Sequence, residues 1–232
     1  MPKSFTFGEL PPAPSTEIIE ELKGYEVAWL SDAIELNLMD SAIRAIHSNI
    51  SRVVGPAVTV QVPPGDFLMI PEAMTKARPG DVLVIDAGGE TKRSVWGEYF
   101  STWAQGIGLA GLVIDGATRD VTDIEALGFP VFALATTPRK PTMTGPGEVN
   151  VPISCGGVCV IPGDVVVADR EGIIIVPLRH LARVLASVRV TAAGEKTHHG
   201  SSPGGPADFE AFYNKSFGPR IAELRASREL KS

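Results

Sequence analysis

Apolar and polar residues change rhythm several times along this chain, and each change marks an element. Ile18, Ile19 and Leu22 fall on one side of a helix that Ser15 or Thr16 can cap, and a second helical pattern runs through residues 27–36. β-Branched runs then take over at Val53-Val54 and residues 57–62, broken by Gly55-Pro56 and Pro63-Pro64-Gly65. Residues 99–106 return to helical spacing, 109–114 form a short apolar strand, 121–127 another helix and 130–135 another strand. Strands alternating with short helices predict an α/β sheet with helices packed on it, with ligands bound at the strand ends.

Two of the strands are written alike. Pro79-Gly80-Asp81-Val82-Leu83-Val84-Ile85-Asp86 returns as Pro162-Gly163-Asp164-Val165-Val166-Val167-Ala168-Asp169. In each copy Pro-Gly sets a tight turn, the apolar run makes a buried strand, and the second aspartate ends it before Gly88-Gly89 or Gly172. Turn chemistry alone accounts for the echo, so it bears on fold and not on function.

Length and composition narrow the class. At 232 residues and 44% hydrophobic content the chain fills one sizeable core. The division expected is an N-terminal arm over 1–15, stiffened by Pro11, Pro12 and Pro14, a catalytic domain over 16–190, and an extension over 191–232. That extension contains a flexible glycine- and serine-rich loop at 200–206. Phe209, Phe212, Tyr213, Phe217, Ile221 and Leu224 are too many large apolar groups to leave in water, so it is expected to pack on a neighbouring subunit. A net charge of −6 gives no general attraction to nucleic acid, no apolar run is long enough to span a bilayer, and the start lacks an apolar signal core. With only Cys155 and Cys159, both read as free thiols, the expected location is the cytoplasm.

Candidate chemistry concentrates at two strand ends. Asp115-Gly116-Ala117-Thr118-Arg119-Asp120-Val121-Thr122-Asp123 leads from an apolar strand through a charged loop into a helix. Asp120 and Asp123 can share a face of its first turn, where acids either cap the helix or hold an oxygen-seeking cation. Upstream, Ser94-Val95-Trp96-Gly97-Glu98 leads into the next helix, whose first amides near Trp96, Gly97 and Glu98 can receive a substrate carboxylate. Lys76, Lys92, Lys140 and Lys196 stand in polar contexts unsuited to a Schiff base. The His198-His199 pair reads as a surface segment, and Cys155-Gly156-Gly157-Val158-Cys159 lacks zinc-site spacing.

Together with Ser31-Asp32-Ala33, residues 55–60, 79–89, Pro130-Val131-Phe132-Ala133, Val149-Asn150-Val151-Pro152 and 162–169, these segments resemble the RraA-like family over roughly residues 28–185. The family includes the class II 4-hydroxy-4-methyl-2-oxoglutarate / 4-carboxy-4-hydroxy-2-oxoadipate aldolases. Its aldolase signature, an acid, twenty residues, Arg-Asp, two residues and an acid, is matched by Glu98, Arg119, Asp120 and Asp123. Glu98 stands where a well-known member has aspartate. The resemblance implies a swivelling β/β/α fold, a homotrimer or homohexamer, and a site between subunits. It further implies Mg²⁺ or Mn²⁺ bound directly by Asp120 and through water by Glu98, with Arg119 on the pyruvyl oxygen and loop amides on the carboxylate. Glu195 is the candidate for an acid from the neighbouring subunit. The implied reaction is retro-aldol cleavage of a 2-oxo-4-hydroxy acid to pyruvate, in which Glu98 or Asp123 assists deprotonation, with oxaloacetate decarboxylation as a side activity. The alternatives are an RraA-type regulator that inhibits a ribonuclease by protein contact, and a lyase for another oxo acid.

Overall fold

The computed structural model describes residues 5–34, 37–50, 52–198 and 205–229. In chain order its elements are β1 (Phe5–Phe7), α1 (Thr16–Lys23), α2 (Val27–Ala33), β2 (Arg44–Ala45), β3 (Val53–Gln61), α3 (Ile70–Lys76), β4 (Val82–Trp96) and α4 (Glu98–Ile107). There follow β5 (Gly111–Thr118), α5 (Val121–Leu127), β6 (Val131–Thr136), β7 (Gly147–Val149), β8 (Ile153–Cys155), β9 (Val158–Val160), β10 (Val165–Ala168), β11 (Ile173–Val176), α6 (Leu181–His198), α7 (Pro206–Ser216) and α8 (Gly218–Glu229). None of these helices is long and apolar enough to cross a membrane.

Strands β3, β4, β5 and β6 run parallel; β7 and β2 pair antiparallel at the two sides, and β1 adds to β7. Alternate residues of these strands feed two cores. Leu83, Ile85, Leu112 and Ile114 face α3, α4 and α5, with Ile70, Ala104 and Ile124 against them. Val82, Val84, Val113 and Phe132 face the other way onto Val166, Ala168, Ile173 and Ile175 of the β10–β11 pair. The far side of that pair, Val165, Val167, Ile174 and Val176, is covered by Leu22, Leu30, Val184 and Val188 from α1, α2 and α6. Helices, two sheet layers and helices again give the mixed α/β architecture expected of a swivelling β/β/α fold.

β3 belongs to both sheet layers. Residues Val53 to Pro56 pair antiparallel with β10, and from Ala57 onward the strand pairs in parallel with β4. Gly55-Pro56, read from sequence as a break, therefore lies inside a continuous strand. Proline lacks only one ladder donor, and it stands where the strand exchanges partners. The two echoed strands are the two partners. Their entry turns match: Gly80 and Gly163 have φ of 87° and 86°, open to glycine without strain, and each following aspartate folds back on the turn. Asp81 Oδ2 accepts the Arg78 N–H at 2.8 Å, and Asp164 Oδ2 accepts the Ile161 N–H at 3.0 Å.

Other sequence expectations shift at their edges. Within the arm, Phe5–Phe7, ahead of the prolines, pairs with β7. Helix α2 ends at Ala33, and residues 35 and 36 lie outside the described residues. Asp86 does not end its strand, which runs on to Trp96 through Gly88-Gly89 with three register shifts against β5. β5 likewise continues through Asp115–Thr118, read from sequence as loop, because β4 accompanies it. Cys155 and Cys159 are both free thiols.

The described residues divide into two compact units after Thr191. In the second, α7 and α8 form a pair with Phe212 packed edge-on against Phe217 at 5.5 Å between centroids. Phe209, Phe212, Phe217 and Leu224 are exposed. Residues 199–204, most of the expected flexible loop, lie outside the described residues.

Asp164 is almost fully buried, and its Oδ1 also accepts the Leu178 N–H at 2.8 Å. Asp164→Ala leaves two main-chain donors without a partner and is expected to cost about 2–4 kcal/mol in urea unfolding. A loss below about 0.5 kcal/mol, the range of surface substitutions, would show that the turn does not depend on its aspartate.

Candidate active site

The site forms where β4 and β5 end together. Trp96 faces Thr118 in the ladder, and the Arg119 N–H donates to the Trp96 carbonyl at 3.1 Å. That pairing carries Gly97-Glu98, the start of α4, alongside Arg119-Asp120, the start of α5. Trp96 is fixed in turn: its indole Nε1 donates to Ser101 Oγ at 2.7 Å within the buried face of α4.

Asp120 precedes α5 but does not cap it. Its backbone is left-handed, φ 56° and ψ 40°, and its side chain makes no hydrogen bond to its own helix. Instead Oδ2 accepts the main-chain N–H of Glu98 at 3.3 Å and Nε–H of Arg119 at 3.2 Å. A non-glycine residue held left-handed costs about 1–3 kcal/mol. The ion pair that accompanies it offers little in return, since both side chains are about one-third exposed (34% and 36%). The left-handed backbone turns the Asp120 carboxylate toward Glu98 and Arg119 and away from its own helix.

Gly97 makes the approach possible. A Cβ at this position would stand 2.6 Å from Asp120 Oδ2 and 3.2 Å from Arg119 Cγ. Its own backbone is extended, so the requirement is for space.

A cavity of about 330 Å³ opens over this corner, lined by Phe67, Trp96, Gly97, Phe100, Arg119 and Asp120, with Ser94, Val95, Tyr99, Lys140 and Pro141 completing its wall. Phe67, Trp96 and Phe100 form its apolar side, with ring centroids 5.6 Å apart in each adjacent pair. Arg119 and Asp120 also line a second hollow with Thr136, Thr137 and Pro138 at the end of β6, so they form a ridge between the two. Two cations and one carboxylate bias the main cavity toward anionic ligands.

The structure brings some of the sequence-predicted residues together and not others. Trp96, Gly97, Arg119 and Asp120 meet in the cavity. Glu98 contributes its amide to Asp120, but its Oε1 accepts Thr102 Oγ1 at 2.8 Å, and its side chain does not line the cavity. With that amide engaged by Asp120, it is not free for a substrate carboxylate. Asp123 is exposed in the first turn of α5 and lines neither hollow. Glu195 lies on α6, but its side chain is outside the described residues. Sequence reading missed Lys140 and Phe67, which reach the wall through long-range pairing that leaves no local signal, and Ser94 and Phe100, which flank Trp96 on β4 and α4. Lys140, set aside as a Schiff-base lysine, is exposed on the rim, unlike the enclosed amine that such chemistry uses.

The donor set suits a hard cation. Asp120 Oδ1 accepts no hydrogen bond among the described residues, and Glu98 Oε2 is likewise unengaged there. No group of three or more His, Cys, Asp or Glu side chains converges among the described residues, so an ion here would keep most of its water, as Mg²⁺ does.

One buried acid fastens the wall. Asp66 Oδ2 accepts the Thr144 N–H at 2.7 Å and the hydroxyls of Thr142 and Thr144 at 2.9 and 3.0 Å, while Oδ1 accepts the Leu68 N–H at 2.9 Å. This ties the segment after Lys140-Pro141 to the segment of Phe67. Burial raises the Asp66 pKa, but the amide and hydroxyl donors outweigh it and hold the carboxyl below its ordinary value.

Comparison with known proteins places these features in context. The family model described as RraA-like, Aldolase/RraA, matches residues 27–175. A protein of Halalkalibacterium halodurans named "Putative 4-hydroxy-4-methyl-2-oxoglutarate aldolase" is 37% identical over 204 residues, 88% of this chain and 97% of its own. The structure of Streptomyces coelicolor RraAS2, described as an unusual member of the RNase ES inhibitor RraA protein family, aligns with TM-score 0.75 at 28% identity, covering 82% of this chain and 98% of its own. The RNA-processing inhibitor RraA from Thermus thermophilis aligns with TM-score 0.60 at 29% identity, covering 66% and 93%.

Gly97→Ala is expected to lower turnover about 100-fold by displacing the Asp120 carboxylate. Its melting temperature should stay close to the parent's, because the clash relieves into an open cavity; unchanged kinetics would mean the close approach is not used. For Asp66, the folded-state pKa lies below the unfolded one. Its stabilisation is therefore complete above the ordinary aspartate value of about 3.9 and is lost as pH falls through the lower folded value. Asp66→Asn should flatten the fall in stability on acidification below about pH 4, measured by urea unfolding. An identical acid limb in the variant would remove Asp66 from that role.

Proposed function

This chain belongs to the RraA-like family, and from that membership and the cavity's geometry we propose that it is a divalent-metal-dependent aldolase that cleaves a 2-oxo-4-hydroxy acid to pyruvate. The observation that carries the reading is Asp120, strained out of its capping role and paired with Arg119 across Gly97 at the floor of a cationic cavity. Mg²⁺ or Mn²⁺ held by Asp120, with Glu98 behind it, would supply positive charge to polarise the substrate's oxygens.

The chain's own residues account for the rest. Arg119 binds the pyruvyl oxygen and stabilises the negative charge that develops on it. In the retro-aldol step the 4-hydroxyl gives up its proton, the C3–C4 bond breaks, and its electron pair passes into the pyruvate enolate. Glu98, whose Oε1 accepts the Thr102 hydroxyl, or Asp123 assists removal of that proton. Phe67, Trp96 and Phe100 limit water around the enolate until it is protonated at C3. Lys140 faces the same cavity and can meet the carboxylate of the departing fragment. The same enolate arises when oxaloacetate loses CO₂, so oxaloacetate decarboxylation is the proposed side activity. A second copy of the chain in a homotrimer or homohexamer, contributing an acid such as Glu195, belongs to this proposal. So does a cytoplasmic setting.

The Streptomyces and Thermus relatives support a second reading, regulation of a ribonuclease by protein contact. Pyruvate release separates the two. With 4-hydroxy-4-methyl-2-oxoglutarate or oxaloacetate and Mg²⁺ or Mn²⁺, turnover is expected, and EDTA should abolish it. Asp120→Ala should remove metal-dependent turnover. Arg119→Ala should lower kcat about 100- to 1000-fold while leaving metal affinity much less changed. Near-full rates in Arg119→Ala would remove it from enolate stabilisation, and no turnover of either substrate would favour the regulator or another oxo acid.

A further inference from the structure

One hydrogen-bonded chain runs from the interior of the protein to the Asp120 carboxylate. It begins at the Trp96 indole, whose Nε1–H donates to Ser101 Oγ at 2.7 Å. An indole nitrogen only donates, so Oγ accepts there and its single proton is left for another acceptor. The Gly97 carbonyl oxygen, one helical turn back, is that acceptor at 3.1 Å. The same oxygen accepts the Ser101 main-chain N–H, also at 3.1 Å. Trp96 is 2% and Ser101 0% exposed, so both side chains are closed to solvent.

The Gly97 carbonyl and the Glu98 N–H are the two ends of one planar peptide unit. That N–H donates to Asp120 Oδ2 at 3.3 Å. What is done to the oxygen is therefore felt at the nitrogen. Two donors on the carbonyl hold the plane in position and polarise it, which strengthens the N–H as a donor. Every bond points the same way, from indole to hydroxyl to peptide to carboxylate, and bonds ordered like this reinforce one another.

A buried indole N–H needs an acceptor, and any acceptor would serve the fold. Trp96 is already held by its main chain, opposite Thr118 in the ladder and through its carbonyl, which accepts the Arg119 N–H. The first turn of α4 is already closed by the main-chain bond from Ser101 to Gly97. What the Ser101 hydroxyl adds is a link between a residue of the cavity wall and the peptide that meets Asp120, although Ser101 does not itself line the cavity.

We propose that Ser101 is a positioning residue of the reacting corner, holding the Gly97–Glu98 peptide so that its N–H fixes the Asp120 carboxylate where a divalent ion is held. The role rests on the aldolase reading above. The test compares Ser101→Ala, Ser101→Cys and Ser101→Thr with the parent, each as the full chain. Pyruvate release from 4-hydroxy-4-methyl-2-oxoglutarate and oxaloacetate is measured at saturating Mn²⁺, and Mn²⁺ affinity separately by electron paramagnetic resonance. Ser101→Ala is expected to lower kcat about tenfold with KM within about twofold, and to weaken Mn²⁺ binding about tenfold, as loss of a group that orients a metal-holding carboxylate does. Ser101→Thr keeps the hydroxyl and should return both to within about threefold of the parent. Ser101→Cys, close to serine in size but a weaker donor, should fall between them.

A role confined to folding would lower the melting temperature while leaving kcat and Mn²⁺ affinity per folded molecule as in the parent. Parent-like kcat and Mn²⁺ affinity in Ser101→Ala, or equal losses in Ser101→Ala and a folded Ser101→Thr, would overturn the role of Ser101 and leave the aldolase reading intact. If the added methyl keeps Ser101→Thr from folding, losses in Ser101→Cys as large as those in Ser101→Ala overturn it instead. Where the parent binds Mn²⁺ but turns over neither substrate, the affinities decide. A parent that neither releases pyruvate nor binds Mn²⁺ would remove the aldolase reading, and this role with it.

Discussion

The whole site depends on one pairing of strand ends, Trp96 against Thr118. These residues are twenty-two positions apart, and so are Glu98 and Asp120, whose main-chain N–H and carboxylate meet one step further on. The acid-to-aspartate spacing in the sequence is therefore the length of one β–α–β crossover measured at its carboxyl end. Everything chemical follows from it: the left-handed Asp120, its bond to Arg119, and the need for a residue without a side chain at Gly97. If the register slipped by one, the carboxylate would turn to the other face of the sheet and the corner would disappear.

That relation explains what could be read from the sequence. The signature residues were found because their spacing is set by a local unit, and short helices between apolar strands declare themselves by period. The repeated Pro-Gly-Asp turns were equally readable, since backbone chemistry within four residues determines them. What could not be read is what depends on partners far away in the chain. Gly55-Pro56 looks like a break until β10 and β4 are seen to share β3 at that place. Asp115–Thr118 looks like loop until β4 runs beside it.

The site divides along the same line. Arg119, Asp120, Trp96 and Gly97, picked out by spacing, line one cavity. Glu98 and Asp123 were identified as acids, but their side chains take directions that spacing does not encode, one onto Thr102 and the other to solvent. Lys140 and Phe67 reach the wall through the knot of hydrogen bonds at Asp66, which joins segments more than seventy residues apart. No periodicity announces such a contact.

The ladder between β4 and β5 begins with Val82 opposite Gly111, twenty-nine residues on, and ends with a separation of twenty-two. Seven residues are thus spooled out of β4 between Asp86 and Trp96 without disturbing either end. That slack includes Ser94 and Val95, which face the cavity, and Arg93, which donates to the Lys140 carbonyl at 3.0 Å. Lengthening or shortening it would reshape the chamber while the reacting corner stayed where it is. A lineage of this architecture can therefore exchange one substrate outline for another by insertions and deletions in a single strand, leaving its chemistry intact.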